Sequence, residues 1–230
     1  MVPSGLPAAL YAASVSALTE ERLYAQAYAA ATPGRREKTD RFRFIKDKRL
    51  SLAAELLLRH GLRMAGVEKF PAAFAYGAQE KPYLKGQNIW FNLSHSEEWV
   101  VCAVTDCEVG CDVEKMHPID LKIAERFFFR SEFDDIAAQP TPEARNERFF
   151  SYWTLKESFM KATGLGMKLP LDAFQILRGE QISVMQSVDD RSYSFQEYED
   201  IPGYKCALCA AGACGNVPLQ IVDFREILTV

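Results

Sequence analysis

Helical and strand-like patterns of apolar residues follow one another twice along the chain. Helices are predicted at 19–31 and 35–60, and they are followed by the strand-like segments IWFNLSH, WVVCAV and VGCDVE. Short helices then lead to a long helix at 143–163. After it come the strand-like segments LDAFQIL, QISVMQS, YSFQEYE and YKCALCA. Runs of strands beside separate helices favour an α+β fold over a parallel α/β sheet.

The residue types at the ends of these segments predict where the helices begin and end. Thr19 is a suitable N-cap for the first helix, and Thr32-Pro33-Gly34 separates it from the second. Gly61 and Gly164 are suitable stops for the second helix and the long helix. Ser131 is the predicted N-cap of the short helix in FFRSEFDDIAAQ.

Composition narrows the class of protein. The chain has 230 residues, enough for one large domain or two small ones, and its net charge is -4. An acidic protein of this kind is not a general nucleic-acid binder. No apolar run approaches the length of a membrane span, and the N-terminal segment lacks the early basic residues of a signal peptide. We expect a cytoplasmic protein that does not bind nucleic acid or membrane.

Six cysteines are present, mostly in apolar, strand-like surroundings, so we expect buried thiols. Cys206 and Cys209 have the spacing of a metal or redox pair. On a strand, however, positions i and i+3 point to opposite faces. The pair is therefore not expected to hold one metal ion.

Two acids lie in the otherwise apolar segment VGCDVE. On a strand, Val109, Cys111 and Val113 would share one face, and Asp112 and Glu114 the other. Adjacent carboxylates repel each other and need a cation, a basic partner or open solvent. The motif alone leaves a solvated sheet face and a cation site open.

A basic segment occupies residues 35–49. It contains eight basic and three acidic residues, a local charge of +5 on an acidic protein. The segment is either a solvated helix face or a surface for phosphates or an acidic partner.

The long helix carries a further charged pair, Glu157 and Lys161, which share a face because they are four residues apart. Alone, they would be an ordinary surface ion pair. Carboxylates suit Mg²⁺, which binds through one or two acids and substrate phosphates, whereas lysines and the Ser94-His95 pair suit phosphate groups. Together these residues indicate a magnesium-dependent site for a phosphate-rich ligand.

Five motifs, taken in order, resemble the surfactin-type 4'-phosphopantetheinyl transferases of the holo-acyl/peptidyl-carrier-protein synthase superfamily. The motifs are Lys81-Pro82, FNLSHS at 91–96, VGCDVEK at 109–115, RFFFRSEF at 126–133 and WTLKESFMKATGLG at 153–166. Their order and spacing carry the resemblance, because each motif alone is weak.

The resemblance implies an activity and a set of site residues. Members of this family transfer phosphopantetheine from coenzyme A to a serine of an apo acyl, peptidyl or polyketide carrier protein and release adenosine 3',5'-bisphosphate. By similarity, Mg²⁺ would be bound by Asp112, Glu114 and Glu157. Lys161 would contact the diphosphate and take part in catalysis. The remaining coenzyme A contacts would be Arg35, Lys38, Ser51, Lys81, Ser94 and His95.

The attacking serine must lose a proton, so the reaction needs a base. Glu132, Glu157 and a metal-activated water are the candidates. A metal-bound carboxylate is a poorer base than a free one, which favours Glu132 or the water. Against this, Glu132 lies where an acid simply favours the start of a helix.

The resemblance also implies two similar α+β halves in one chain, each with a long helix against a small antiparallel sheet, and the active site in the cleft between them. We expect the halves at 1–108, which would take the nucleotide of coenzyme A, and 109–230, which would hold the magnesium and catalytic motifs. The protein is expected to be a monomer with an acidic carrier protein as partner. A non-catalytic coenzyme A-binding protein and a different Mg²⁺ phosphotransferase or phosphodiesterase are the competing interpretations.

Docking of the acidic carrier would need a local basic or apolar surface, because the enzyme is itself acidic. The candidates are Arg43, Lys46 and Lys48 in the basic segment, and the aromatic segment Phe127-Phe128-Phe129-Arg130. We expect mixed docking that leans towards apolar contacts, because a tolerant binder gains from contacts that demand no fixed charge pattern.

Overall fold

The computed structural model describes residues 8–77, 81–86 and 89–229. Its helices are α1 (Glu21–Ala30), α2 (Pro33–Asp40), α3 (Ile45–Met64), α4 (Lys122–Phe127), α5 (Arg130–Ala137), α6 (Pro142–Thr163) and α7 (Phe224–Thr229). Its strands are β1 (Ala9–Ser14), β2 (Phe74–Tyr76), β3 (Pro82–Leu84), β4 (Trp90–Ser96), β5 (Trp99–Thr105), β6 (Val109–Lys115), β7 (Gln175–Arg178), β8 (Ile182–Met185), β9 (Tyr193–Tyr198), β10 (Tyr204–Ala211) and β11 (Leu219–Ile221).

The first half is a four-stranded sheet covered by α3. The strand order is β11-β1-β5-β4, and β1, β5 and β4 are antiparallel. Alternate residues of β1 and β5, such as Tyr11 and Cys102, pack with the leucines of α3. Both faces of these two strands are buried, which explains the nearly continuous apolar run WVVCAV.

The second half repeats this arrangement with a three-stranded antiparallel sheet, β6-β10-β9, and the long helix α6. Aromatic residues of α6, among them Phe149 and Phe159, pack with Ala207 and Cys209 of β10. Each half therefore has a long helix against a small sheet, as the sequence predicted.

The two sheets pack against each other and form a third apolar cluster between the halves. Leu10 and Val101 of the first sheet contribute to it, together with Cys111, Val113 and Leu208 of the second. The predicted inward face of VGCDVE is thus confirmed. Cys206 belongs to this cluster, whereas Cys209 packs under α6, so the two thiols lie on opposite faces of β10.

The helix predicted at 35–60 is two helices. The hydroxyl of Thr32 caps α2, which ends at Asp40, and α3 begins at Ile45. The break allows α2 to fold back on α3, where the buried hydroxyls of Thr39 and Ser51 share a hydrogen bond of 2.9 Å. The connection leaves Phe44 62 % exposed.

Three predicted helix boundaries are also wrong. Thr19 does not cap α1, because it ends a short 3-10 helix at Val15–Thr19 and Glu20 takes the N-cap position. Gly61 does not end α3 but lies within it, where a Cβ atom would approach Val104 Cγ2 to 2.8 Å. The glycine is needed because the helix lies so close to the sheet. Helix α5 is capped from Phe129 and not from Ser131, and the Glu132 carboxylate accepts a hydrogen bond from the Phe129 amide at 2.9 Å.

The end of the chain departs from the predicted division at residues 108 and 109. Strand β11 pairs in parallel with β1, so the first sheet is mixed, and Phe224 of α7 is buried in the core of the first half. The last eleven described residues therefore complete the first half, because edge strand β1 would otherwise expose its backbone groups. Among the described helices, none is both long and apolar enough to cross a membrane.

Candidate active site

Strand β4 faces β6 through a row of polar side chains. Alternation places Asn92, Ser94 and Ser96 on one face of β4. Asn92 Oδ1 accepts a hydrogen bond from the Cys111 amide at 2.9 Å, and Ser94 Oγ donates to Asp112 Oδ1 at 2.8 Å. These bonds join the two halves at the point where the acids lie.

Ser96 completes this row. Its Oγ donates to a Glu114 carboxylate oxygen at 2.7 Å and accepts from the Lys115 amide at 3.1 Å. Sequence reasoning found Ser94 but missed Asn92 and Ser96. The polar alternation in FNLSHS was the signal that could have identified them.

Gly110 allows helix α6 to lie directly on β6. A Cβ atom at this position would meet the Ser158 carbonyl oxygen at 2.0 Å and the Ala162 nitrogen at 2.4 Å. No side chain can be accommodated there, so only glycine permits the contact. The consequence is that Asp112, two residues further along β6, faces the side chains of Glu157 and Lys161 on α6.

Asp112 and Lys161 form the centre of the site. Asp112 is 2 % exposed, and its Oδ1 lies 2.6 Å from Lys161 Nζ. Lys161 Nζ also donates to Ser94 Oγ at 3.0 Å. Burial by itself would lower the pKa of Lys161, but the Asp112 carboxylate outweighs it and raises that pKa, so the lysine is charged.

Two further carboxylates lie beside this pair. Burial raises the pKa of Glu114 and of Glu157, and the charge of Asp112 raises each further. No described residue donates a hydrogen bond to the Glu157 carboxylate. The site thus concentrates three acids around a single ammonium group, an arrangement that favours an additional cation.

The three acids fit Mg²⁺ in chemistry. Within the described ranges, no three acidic, histidine or cysteine side chains are placed closely enough to hold a metal ion as they stand, so the fit is one of chemistry and not of geometry. However, Asp112 Oδ2 is buried and has no hydrogen-bond partner. A buried carboxylate oxygen without a partner is costly, and a hard cation is the kind of ligand that satisfies it.

A second, basic pocket lies on the other side of Ser94. It has a volume of about 120 Å³ and is lined by Arg35, Lys38, Phe42, Asp47, Leu50, Ser51, Ala54 and His95. Four of these residues are among the coenzyme A contacts that the family resemblance implied: Arg35, Lys38, Ser51 and His95. Burial and the nearby charges of Lys161 and Lys38 lower the pKa of His95.

Arg35 is held in this pocket by a residue that the sequence did not reveal. Buried Glu55 of α3 accepts hydrogen bonds from the Thr32 amide and hydroxyl, both at 2.7 Å, and from Arg35 Nε at 3.3 Å. The guanidinium group therefore keeps its other nitrogens for a ligand. Glu55 lies in an apolar run of α3, which gave no sign of this contact.

Glu132 does not lie free in the cleft. It is 1 % exposed, and its Oε2 pairs with fully buried Lys156 at 2.9 Å. Its oxygens also accept hydrogen bonds from the amides of Phe129 and Ile176. A carboxylate with all of these partners has no oxygen left for a substrate proton, so the geometry does not support Glu132 as the base.

Lys81 is also placed differently from the sequence expectation. Its Nζ donates to the carbonyl oxygens of Val109, Lys161 and Ala162, at 2.8, 2.7 and 3.0 Å. Burial lowers the pKa of Lys81 to about 8. All three ammonium donors are used by the protein itself, which leaves none for coenzyme A.

Fold and site together define a class of protein: two packed α+β halves, with a buried acidic centre at their junction and a basic pocket in the first half. Models of two families match the chain, "4'-phosphopantetheinyl transferase, N-terminal" over residues 19–107 and "4'-phosphopantetheinyl transferase superfamily" over residues 108–209.

Full-length relatives agree with these matches. The chain is 34% identical over 201 residues to the 4'-phosphopantetheinyl transferase Sfp of Bacillus subtilis strain 168, covering 86% of this chain and 89% of that protein. It is 36% identical over 220 residues to a 4'-phosphopantetheinyl transferase of Bacillus subtilis, covering 93% and 95%. A holo-(acyl-carrier-protein) synthase structure from Bacillus anthracis, in complex with CoA (3',5'-ADP), is 14% identical with a TM-score of 0.40, covering 46% of this chain and 97% of that one.

The chain belongs to the 4'-phosphopantetheinyl transferase superfamily and is an enzyme that transfers phosphopantetheine to carrier proteins.

Proposed function

We propose that this enzyme takes phosphopantetheine from coenzyme A and transfers it to a serine of an apo carrier protein, with release of adenosine 3',5'-bisphosphate and dependence on Mg²⁺. One observation carries the proposal. The basic pocket and the acidic centre are joined by consecutive residues of β4, His95 lining the pocket and Ser94 bonding Asp112. A ligand with phosphates at both ends of a nucleotide would reach both places.

The basic pocket would take the 3'-phosphate of coenzyme A. Arg35 and Lys38 supply positive charge, while Ser51 and His95 supply polar groups. Asp47 also lines the pocket, and its carboxylate offsets part of this positive charge. The charged Lys161 ammonium would contact the diphosphate and stabilise the charge that develops on its oxygens during transfer.

Asp112, Glu114 and Glu157 would hold Mg²⁺. The support is the unpartnered Asp112 Oδ2 and the mutual repulsion of the three acids. When bound, Mg²⁺ would neutralise charge on the diphosphate and orient it. Ser94 and Ser96 would position the Asp112 and Glu114 carboxylates for this task.

In the transfer, the carrier serine oxygen forms a bond to the β-phosphorus of coenzyme A. The bond from that phosphorus to the oxygen of the nucleotide's 5'-phosphate breaks, and adenosine 3',5'-bisphosphate leaves. Glu157 or a metal-activated water would accept the serine proton: no described residue donates to the Glu157 carboxylate, although binding Mg²⁺ would make it a poorer base. Glu132 is excluded from this role in the proposal by its buried pair with Lys156.

The carrier would dock on an exposed surface of mixed apolar and basic character. Phe127 is 44 % exposed, and the Arg126 guanidinium lies 5.2 Å from its ring centroid. Phe128, by contrast, is buried and stacks on Phe149, so the earlier expectation that Phe128 docks the carrier is wrong. Phe44 and Ile45, beside Arg43 and Lys46, offer a second exposed apolar segment.

Incubation with coenzyme A, Mg²⁺ and an apo carrier protein, followed by intact-mass analysis, tests the function. We expect the carrier to gain the mass of one phosphopantetheine only when all components are present. A control carrier with its acceptor serine replaced by alanine should gain nothing. Binding of coenzyme A without transfer would favour the non-catalytic interpretation, and coenzyme A breakdown without a carrier would favour another phosphotransferase.

A further inference from the structure

Lys81 lies in the first half, just before β3, yet its ammonium group bonds only to the second half. Two of its three acceptors, the carbonyls of Lys161 and Ala162, belong to the last turn of α6. Carbonyls in the last turn of a helix have no partner within the helix, and a positive charge is favourable there. The third acceptor is Val109 at the start of β6.

These bonds fix the position of α6 relative to β6 next to the acidic centre. Directly beside them, the backbone of α6 lies against Gly110, where no side chain fits. Asp112 lies on β6 and Lys161 lies on α6, and these two residues form the 2.6 Å pair at the centre of the site. A shift of α6 along β6 would therefore change the position of the Lys161 ammonium group.

We propose that Lys81 is a positioning residue that sets the Lys161 side chain for the diphosphate, and that its ammonium group does not contact coenzyme A. The number of donors matches the number of acceptors: an ammonium group has three N–H donors, and three partly buried carbonyls receive them. The proposal rests on the proposed contact between Lys161 and the diphosphate.

Lys81→Met tests the proposal, because it keeps the length and apolar stem of the side chain and removes the donors. We expect kcat to fall at least thirtyfold, while the Kd for coenzyme A, measured by calorimetry, changes by less than threefold. Lys85→Met is the matched control, since Lys85 is an exposed lysine at the other end of β3. It should leave both quantities unchanged.

A double-mutant cycle with Lys161→Ala separates positioning from general destabilisation. If Lys81 acts through Lys161, Lys81→Met should lower kcat by less than threefold in the Lys161→Ala background. An unchanged kcat in Lys81→Met, a tenfold rise in the Kd for coenzyme A, or fully additive losses in the cycle would each overturn the proposal.

Two further measurements keep the outcome interpretable. If Lys81→Met does not fold, Lys81→Gln, which retains two N–H donors, replaces it in the same comparison. If Lys161→Ala alone keeps wild-type turnover, the proposed role of Lys161 fails, which is a different result from a failure of Lys81 while Lys161→Ala is inactive.

Discussion

Asp112 combines burial, a charged partner on one oxygen and no partner on the other. A structural ion pair would gain from satisfying both oxygens, because an unpaired buried acceptor costs about 1–3 kcal/mol. A cation bound to this oxygen, as proposed above, would remove the cost. Substitutions of Asp112 and of the neighbouring Glu157 test whether a cation completes these contacts.

Asp112→Asn should abolish turnover and remove the stabilisation that Mg²⁺ gives to the protein. At a Mg²⁺ concentration one hundred times its Kd, binding to the folded state adds about 2.7 kcal/mol. For a chain of this size that corresponds to a rise in Tm of about 5–10 °C. Thermal melts with and without Mg²⁺ measure it, with Asp190→Asn, an exposed acid, as control. The same Mg²⁺-induced shift in Asp112→Asn and wild type would contradict the metal assignment.

Glu157→Gln should lower turnover while raising the stability of the metal-free protein. The pKa of Glu157 in the folded state is above its ordinary value of 4.5, because burial and Asp112 disfavour the charged form. Ionisation of Glu157 therefore costs stability, and the cost is present above the raised pKa and disappears as the pH falls towards 4.5.

Melts in the presence of a chelator should show a higher Tm for Glu157→Gln than for wild type at pH 7.5, and the difference should shrink towards pH 4.5. Loss of a general base should lower kcat by about 10²–10⁴-fold. Equal Tm values at pH 7.5 would contradict the repulsion among the acids, and turnover within threefold of wild type would contradict the role as base.

At the scale of elements, helix α6 carries both the chemistry and a buried ion pair on separate faces. Glu157 and Lys161 face β6, whereas Lys156 points to the other side, where it donates to the carbonyls of Leu171 and Phe174 and pairs with Glu132 of α5. This pair holds α5 and the strand after residue 174 against α6. We assign it to stability and not to catalysis.

Glu132→Gln should therefore destabilise the protein and leave turnover largely intact. Removing one partner of a buried ion pair typically costs about 3–5 kcal/mol, because the remaining charge is left uncompensated. The expected fall in Tm is about 6–20 °C. The double variant Glu132→Gln/Lys156→Met should recover part of this loss, since it removes the unpaired charge. A hundredfold lower kcat for Glu132→Gln, at a temperature where the variant is folded, would show that Glu132 takes part in catalysis.

At the scale of the whole molecule, the two halves are joined by an apolar cluster, by the polar row from β4 to β6, and by the return of β11 and α7 to the first sheet. The acids and Lys161 of the centre all lie in the second half, and Ser94 and Ser96 of the first half donate hydrogen bonds to Asp112 and Glu114. Carrier docking is also a property of the whole surface, because an enzyme with net charge -4 would need a local patch to bind the acidic carrier protein that we propose as its partner.

Phe127→Ala should raise the KM for the carrier about fivefold, from the loss of about 1 kcal/mol of apolar contact, and leave the KM for coenzyme A unchanged. Phe128→Ala is the contrasting variant, because its buried ring should affect Tm and not docking. If docking is mainly apolar, the carrier KM should change little between 0.1 M and 1 M salt, although the Debye length falls from about 10 Å to 3 Å. A tenfold rise in KM over this range would show that docking is electrostatic.

Much of the site could be predicted from the sequence because its chemistry lies in short motifs with local geometry. Alternation in VGCDVE and the four-residue spacing of Glu157 and Lys161 determine which side chains share a face, whatever the rest of the chain does. The same local rules identified the long helices and the inward faces of the strands. The residues of the basic pocket followed from the family resemblance, and the structure brings them together.

The tertiary structure decided what each polar group pairs with. Glu132, Lys81 and Glu55 are ionisable residues whose charged or carbonyl partners lie between 20 and 81 positions away in the chain, so no local pattern could distinguish a structural role from a catalytic one. Likewise, Gly61 and Gly110 are suitable for a helix stop or a turn by sequence, but here they allow close contact between a helix and a sheet. Burial and pairing depend on which elements meet, and only the folded chain fixes that.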